Sequence, residues 1–151
     1  MSLMRRKEVP VELTWDLTAL YDDEAKLNAD VEKIRSLTDE IEKTCKGRLT
    51  SVEAIQDCLN KYREWTELVE YAWNYVQLAS EVDFTDAALQ ERNAAFSRLY
   101  AQASSRLSFI DSEIIEQDEA LLREAIAQGG PNQCYLADLL RQKPYQLQPE
   151  T

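Results

Sequence analysis

The sequence predicts an all-α protein, an antiparallel helical bundle with three long helices and shorter C-terminal helices. Three observations carry this expectation. First, the 151 residues include only 3 glycines and 4 prolines. No proline lies between Pro10 and Pro131, and no glycine between Gly47 and Gly129. Sandwiches, barrels and βαβ folds need turn residues about every dozen positions. Second, 44% of residues are apolar and 30% charged, a globular balance on a chain long enough for one domain. Third, apolar residues recur at steps of three and four, the period of a helix with one buried face.

Met1–Leu3 reads as an expression scar ahead of a second start at Met4, and residues 4–21 as an extended lead-in. Within it, Asp16 can cap a short turn through Leu17 and Leu20. Residues 22–151 read as a single helical domain. Its first helix runs from about Asp23 to Thr44, with Asp22 as N-cap and Gly47 at the C-terminal glycine position. Leu27, Val31, Ile34, Thr38, Ile41 and Cys45 make its apolar stripe. Asp22/Lys26, Asp39/Lys43 and Glu42/Lys46 are acid-first i,i+4 pairs for its wet face.

The second helix starts at the capping-box pattern Thr50-Ser51-Val52-Glu53 and reaches about Val82. Ile55, Leu59, Tyr62, Trp65, Val69, Ala72, Trp73 and Val76 form one stripe. Tyr71, Tyr75, Leu78 and Val82 form another on the opposite side. A helix apolar on two faces must be covered on both: it is central in the bundle, or one stripe meets something outside this chain. The third helix opens near Thr85 or Asp86 and runs to about Ile110, with Leu89, Phe96, Leu99, Tyr100, Ala103, Leu107 and Ile110 as its stripe. Ile114 and Ile115 are expected in a short turn. Asp118 can cap a helix through Leu121, Leu122 and Ile126. Gly129-Gly130-Pro131 breaks that helix, and a last one spans Asn132 to Arg141. Pro144 and Pro149 mark an extended exit.

The chain has no histidine. Ser-His-Asp and Cys-His catalysis and imidazole-dependent metal sites are therefore outside its reach. Its net charge of −11 repels phosphate backbones and anionic membranes. Arg5-Arg6-Lys7 is the one basic run, so neither nucleic acid nor membrane is an expected partner. There is no apolar stretch of transmembrane length and no signal-peptide pattern. Cys45, Cys58 and Cys134 are odd in number and lack a Cys-x-x-Cys pair, which suits a reducing, cytoplasmic compartment.

The remaining candidates for chemistry are sparse. Glu113-x-x-Glu116 has metal-ligand spacing without the histidines a di-metal bundle requires. Glu119 and Glu124 fit a solvated face. Cys45 and Cys58 fall on apolar stripes, and Cys134, near a helix start, is the one candidate reactive thiol. The band Tyr62, Trp65, Trp73 and Tyr100 could stack on a ligand, but at helical spacing it reads first as core. No catalytic, cofactor-binding or metal-ligating residue is expected in this chain. The stripe Tyr71, Tyr75, Leu78 and Val82 is the candidate contact surface.

Two end segments carry a resemblance. The lead-in reads Glu8-Val9-Pro10-Val11-Glu12-Leu13-Thr14-Trp15-Asp16-Leu17-Thr18-Ala19-Leu20-Tyr21, and the exit Leu139-Leu140-Arg141-Gln142-Lys143-Pro144-Tyr145-Gln146-Leu147. Both resemble the amino-terminal region of oligoendopeptidase F, a bacterial zinc oligopeptidase of the thimet-oligopeptidase-like family. Tyr145 departs from the pattern, which more often has histidine there. The resemblance implies a fragment of a longer metallopeptidase whose missing C-terminal catalytic domain carries His-Glu-x-x-His, zinc and the chemistry on short peptide substrates. This domain would then be non-catalytic and would help to form the substrate channel. The alternative is a free-standing helical protein-interaction module. As an isolated fragment exposing a former interface, the chain would be expected to self-associate.

Overall fold

A computed structural model describes residues 8–145. Among them are six α-helices, α1 (Glu24–Cys45), α2 (Val52–Val82), α3 (Ala87–Leu107), α4 (Phe109–Glu116), α5 (Glu119–Ala127) and α6 (Gln133–Gln142), and no strand. The fold is all-α, as the sparse glycine and proline and the helical periodicity require. The expression-scar assignment of Met1–Leu3 and the exit at Pro149 lie outside the described residues.

The chain divides into two compact units, and the three long helices contribute to both. The first takes in the residues up to Ser36 together with Thr66–Ala103; the second takes in Leu37–Trp65 and the residues from Ser104 onward. In the first unit α2 and α3 run antiparallel. The Trp73 ring meets those of Phe96 and Tyr100 at 6.0 and 5.5 Å, while Gln90 Nε2 donates to the Ser80 carbonyl at 2.7 Å. Leu27, Ile34, Val76 and Phe96 are buried between the three helix segments.

In the second unit α1 and α2 are antiparallel. Trp65 Nε1 donates to Thr38 Oγ1 at 2.9 Å, and Lys61 pairs with Glu40 at 2.7 Å. Thr38 lies on the apolar stripe of α1 and is buried; the indole N–H satisfies its hydroxyl, as burial demands. Arg106 forks between Asp39 at 2.8 Å and Glu42 at 2.6 Å. Asp39, expected to serve Lys43, thus ties α1 to α3. The Arg106 guanidinium holds the Glu42 carboxyl below the ordinary carboxylate range.

Several boundaries differ from expectation, each for a local reason. The α1 cap is Asp23, whose Oδ1 accepts from Lys26 N at 2.8 Å; Asp22 forms the Lys26 ion pair at 2.6 Å instead. At α2, Ser51 Oγ accepts from Ala54 N at 3.2 Å, so the cap sits one residue past Thr50 and Glu53 falls at the wrong position to close a box. Asp86 caps α3 as expected, accepting from Ala88 and Leu89 N–H.

The third helix does not reach Ile110. It ends at Leu107, and α4 starts at Phe109 after Ser108, whose hydroxyl donates to the Ser105 carbonyl at 2.8 Å. Ile110, Ile114 and Ile115, rather than marking a stripe end and a short turn, form the buried face of α4. The lead-in is not fully extended: 3-10 turns occupy Val11–Leu13 and Leu17–Ala19, the second capped by Asp16 as expected. The exit folds into a further 3-10 turn at Lys143–Tyr145.

Candidate functional site

The stripe Tyr71, Tyr75, Leu78 and Val82 lies on the C-terminal half of α2, in the first unit. Its members are unevenly covered. Tyr71 is 58% exposed, whereas Tyr75, Leu78 and Val82 are half-buried. Tyr75 is covered from within the chain. Tyr21, the buried last residue of the lead-in motif, sets its ring edge-on to Tyr75 at 5.3 Å and 71°. The Tyr21 hydroxyl donates to Asp30 Oδ2 of α1 at 2.8 Å. Burial first, then the hydrogen bond to the Asp30 carboxylate and its charge, push the Tyr21 hydroxyl well above the usual phenol range. The lead-in is therefore pinned to α1 and α2 by one aromatic anchor. A sequence reading confined to α2 could not see this cover, because it arrives from 54 residues upstream in the chain.

The aromatic band does not form one core. In the second unit Trp65 is buried and stacks on Tyr62 at 5.6 Å. In the first, Trp73 is half-buried with its Nε1 donating to Gln77 Oε1 at 2.7 Å, and Tyr100 is 41% exposed. The core assignment therefore holds for Trp65 and fails for Tyr100.

Residues weighed for chemistry take structural roles. Glu113 accepts from Gly47 N–H with both carboxylate oxygens, at 2.8 and 2.9 Å, and so caps the turn after α1. Gly47 has φ of +71°, the left-handed geometry of a C-terminal glycine. Among the described residues no cluster of three or more His, Cys, Asp or Glu could hold a metal ion. Cys45 and Cys58 are buried, and burial pushes the Cys58 thiol up, away from reactivity; Cys134 is exposed.

Sequence reasoning missed Asn132. It is buried at the start of α6, donating to Gln56 Oε1 at 2.9 Å and Asn60 Oδ1 at 3.0 Å and accepting from Arg63 at 3.3 Å. Gln56 also donates to the Ala125 carbonyl at 3.1 Å. This polar stripe on α2 holds the Gly129-Gly130-Pro131 turn. Tyr135 is similarly tied, donating to Asp111, and burial followed by that bond raises its hydroxyl above the phenol range. A surface cleft of about 520 Å³ beside α6 is lined by Arg123, Arg141 and Lys143. Each is engaged: Arg123 with Glu119, Arg141 with Asp138, Lys143 with the carbonyls of Ile115 and Gln117.

Known proteins supply what the geometry does not. The plasmid-encoded oligoendopeptidase F of Lactococcus lactis subsp. cremoris is 28% identical over 74% of this chain and 19% of its own length. The chain is similar to oligoendopeptidase F. Oligopeptidase PepF of Bacillus subtilis matches more of the chain, 94% of it and 22% of its own length, at 23% identity. No protein-family model matches. In fold, the chain matches a crystal structure of a Chlamydophila abortus protein provisionally assigned as a peptidase, with a TM-score of 0.80 and 15% identity over 98% of this chain and 26% of the other. The chain spans about one fifth of the length of the curated relatives it matches. Among the described residues no helix is long and apolar enough to cross a membrane.

Proposed function

We propose that this chain is the non-catalytic amino-terminal helical region of an oligoendopeptidase F-like zinc peptidase. The observation that carries the reading is its similarity to oligoendopeptidase F over about one fifth of those proteins' length. The parent would be a cytoplasmic metallopeptidase that hydrolyses internal bonds of short peptides. This domain would form part of the wall of the substrate channel, and the zinc would be held by residues outside it. The lack of histidine supports that division, since a His-Glu-x-x-His helix cannot be built here. The stripe Tyr71, Tyr75, Leu78 and Val82 is the assigned interdomain contact, and Tyr71 is its most accessible member.

The test compares this 151-residue chain with the product of the longer reading frame on a quenched oligopeptide. The longer protein should hydrolyse it in a chelator-sensitive manner, and the chain alone should neither cleave it nor bind stoichiometric zinc. Chelator-sensitive hydrolysis by the chain alone overturns the reading.

A further inference from the structure

Two of the three thiols lie in one unit, on facing helices. Cys45 ends α1 and Cys58 stands in the second turn of α2, both in the second unit. The hydrogen bond from Trp65 Nε1 to Thr38 Oγ1 at 2.9 Å fixes the register of this antiparallel pair. Seven residues make about two helical turns and return a side chain to nearly the same face. Cys45 lies seven residues after Thr38, and Cys58 seven residues before Trp65. In antiparallel helices these two steps run the same way, so both sulfurs arrive at one level on the facing sides. Lys61 marks the same stretch of the contact. Its ammonium reaches Glu40 at 2.7 Å and Thr44 Oγ1 at 3.4 Å, and Thr44 Oγ1 is 3.5 Å from Cys45 Sγ.

The pair is enclosed but not equally. Cys58 is 0% exposed and Cys45 6%, and the turn that follows Cys45, Lys46 to Arg48, is exposed. Burial first, then a hydrogen bond with the Cys45 sulfur, hold the Cys58 thiol well above the usual thiol range. A lone buried cysteine is simply a small apolar side chain. Two that face each other across a helix contact are more than that, because a disulfide needs β-carbons opposed at short range. Cys134 is exposed on α6 and takes no part.

We propose that Cys45 and Cys58 are a redox modification site, an internal dithiol that hydrogen peroxide closes into a disulfide within the folded unit. A small oxidant is the class that so closed a site admits, and it meets Cys45 first, by way of the exposed turn. The Cys45 sulfur, its proton passed to water, attacks one peroxide oxygen. An S–O bond forms, the O–O bond breaks, and the departing hydroxide takes up a proton as water. The Cys58 sulfur then attacks the Cys45 sulfur of this sulfenic acid. The S–S bond forms, the S–O bond breaks, and the leaving hydroxide carries off the Cys58 proton as a second water. Two thiols are oxidised to one disulfide and one peroxide is reduced to two waters. The bond ties the end of α1 to the start of α2 across the turn where Glu113 holds Gly47. It removes freedom from the unfolded chain, so the oxidised fold should melt later. The site lies wholly within this chain and does not depend on the proposed parentage.

The test uses the chain carrying Cys134→Ser, which removes only the exposed thiol. The protein is exposed to hydrogen peroxide, quenched with catalase and alkylated in denaturant, and its unreduced peptides are mapped by mass spectrometry. Both remaining thiols should be lost together, with Cys45 and Cys58 in one linked peptide of a monomeric chain. Dithiothreitol should return both. Helical circular dichroism should be unchanged, and the melting midpoint should rise by about 5–10 °C on oxidation. Two thiols still free after peroxide treatment overturn the proposal. So do sulfinic or sulfonic acids without a link, or a link found only between two chains. A lower midpoint after oxidation also overturns it, because the fold would then have to distort to make the bond.

Discussion

The two units are nearly equal in length but differ in how completely they close on themselves. The second, Leu37–Trp65 with the residues from Ser104, holds eighteen of the twenty-eight buried apolar side chains among the described residues. It also holds the polar ties that finish a core: Asn132 on Gln56, Asn60 and Arg63, and Glu113 on Gly47. The first unit carries six of the seven large apolar side chains exposed among the described residues: Val11, Leu13, Trp15, Tyr71, Phe84 and Tyr100. Their exposure, from 41% at Tyr100 to 83% at Val11, leaves burial worth about 25 cal/mol per Å² unrealised. The second unit is therefore the more completely closed part of this chain, and the first leaves more of its large apolar side chains open.

The largest expected effect strikes the closed unit. Asn132→Ala should lower stability by about 1–3 kcal/mol, because it removes a buried amide and strands the half-buried Gln56 that faced it. The drop is read from the urea midpoint at unchanged m. A loss under about 0.5 kcal/mol would show that the polar stripe is not what closes the unit.

Alkaline titration sharpens the comparison next, because each unit has one raised tyrosine: Tyr21 in the first and Tyr135 in the second. The folded chain holds these protons more tightly than the unfolded chain does. Their contribution is fully present below the unfolded pKa of about 10 and is lost progressively as pH rises above it, because the unfolded chain then releases protons that the folded chain keeps. Urea midpoints at pH 9, 10 and 11 should fall accordingly. Tyr21→Phe and Tyr135→Phe should each flatten that fall. A pH-independent midpoint over this range would mean that neither hydroxyl is differently placed in the folded and unfolded chains.

How much of this was legible in the sequence follows from the range of the interactions involved. Helices α1, α2 and α3 were, because steps of three and four and the lack of glycine and proline are local properties. Their caps were legible only to within a residue: Asp22-Asp23 and Thr50-Ser51 each offer two adjacent cap formers, and backbone geometry chooses between them. The break at Ser108 was missed because the apolar pattern runs unchanged through it, from Leu107 to Ile110. Asn132 was illegible as a buried residue, since its partners lie 72 and 76 positions away and asparagine is mostly exposed. The second stripe of α2 was legible as a feature but not in its outcome, because the cover of Tyr75 comes from Tyr21 in the lead-in.

That partial cover gives the finest test. Tyr75 and Tyr71 lie four residues apart on one face of α2, yet only Tyr75 is half-buried and touches Tyr21 edge-on. Tyr75→Ala should cost this chain about 1–2 kcal/mol, the aromatic pair plus part of a side chain's burial. Tyr71→Ala, at a 58% exposed position, should stay within about 0.5 kcal/mol. Equal small losses would mean that the lead-in does not seal the stripe and that all four residues are open to a partner. Equal large losses would make the stripe core, and the open surface of the first unit would then fall to the lead-in, Phe84 and Tyr100. The expected inequality divides the stripe instead: Tyr75 is sealed by Tyr21, and Tyr71, one turn earlier, stays open.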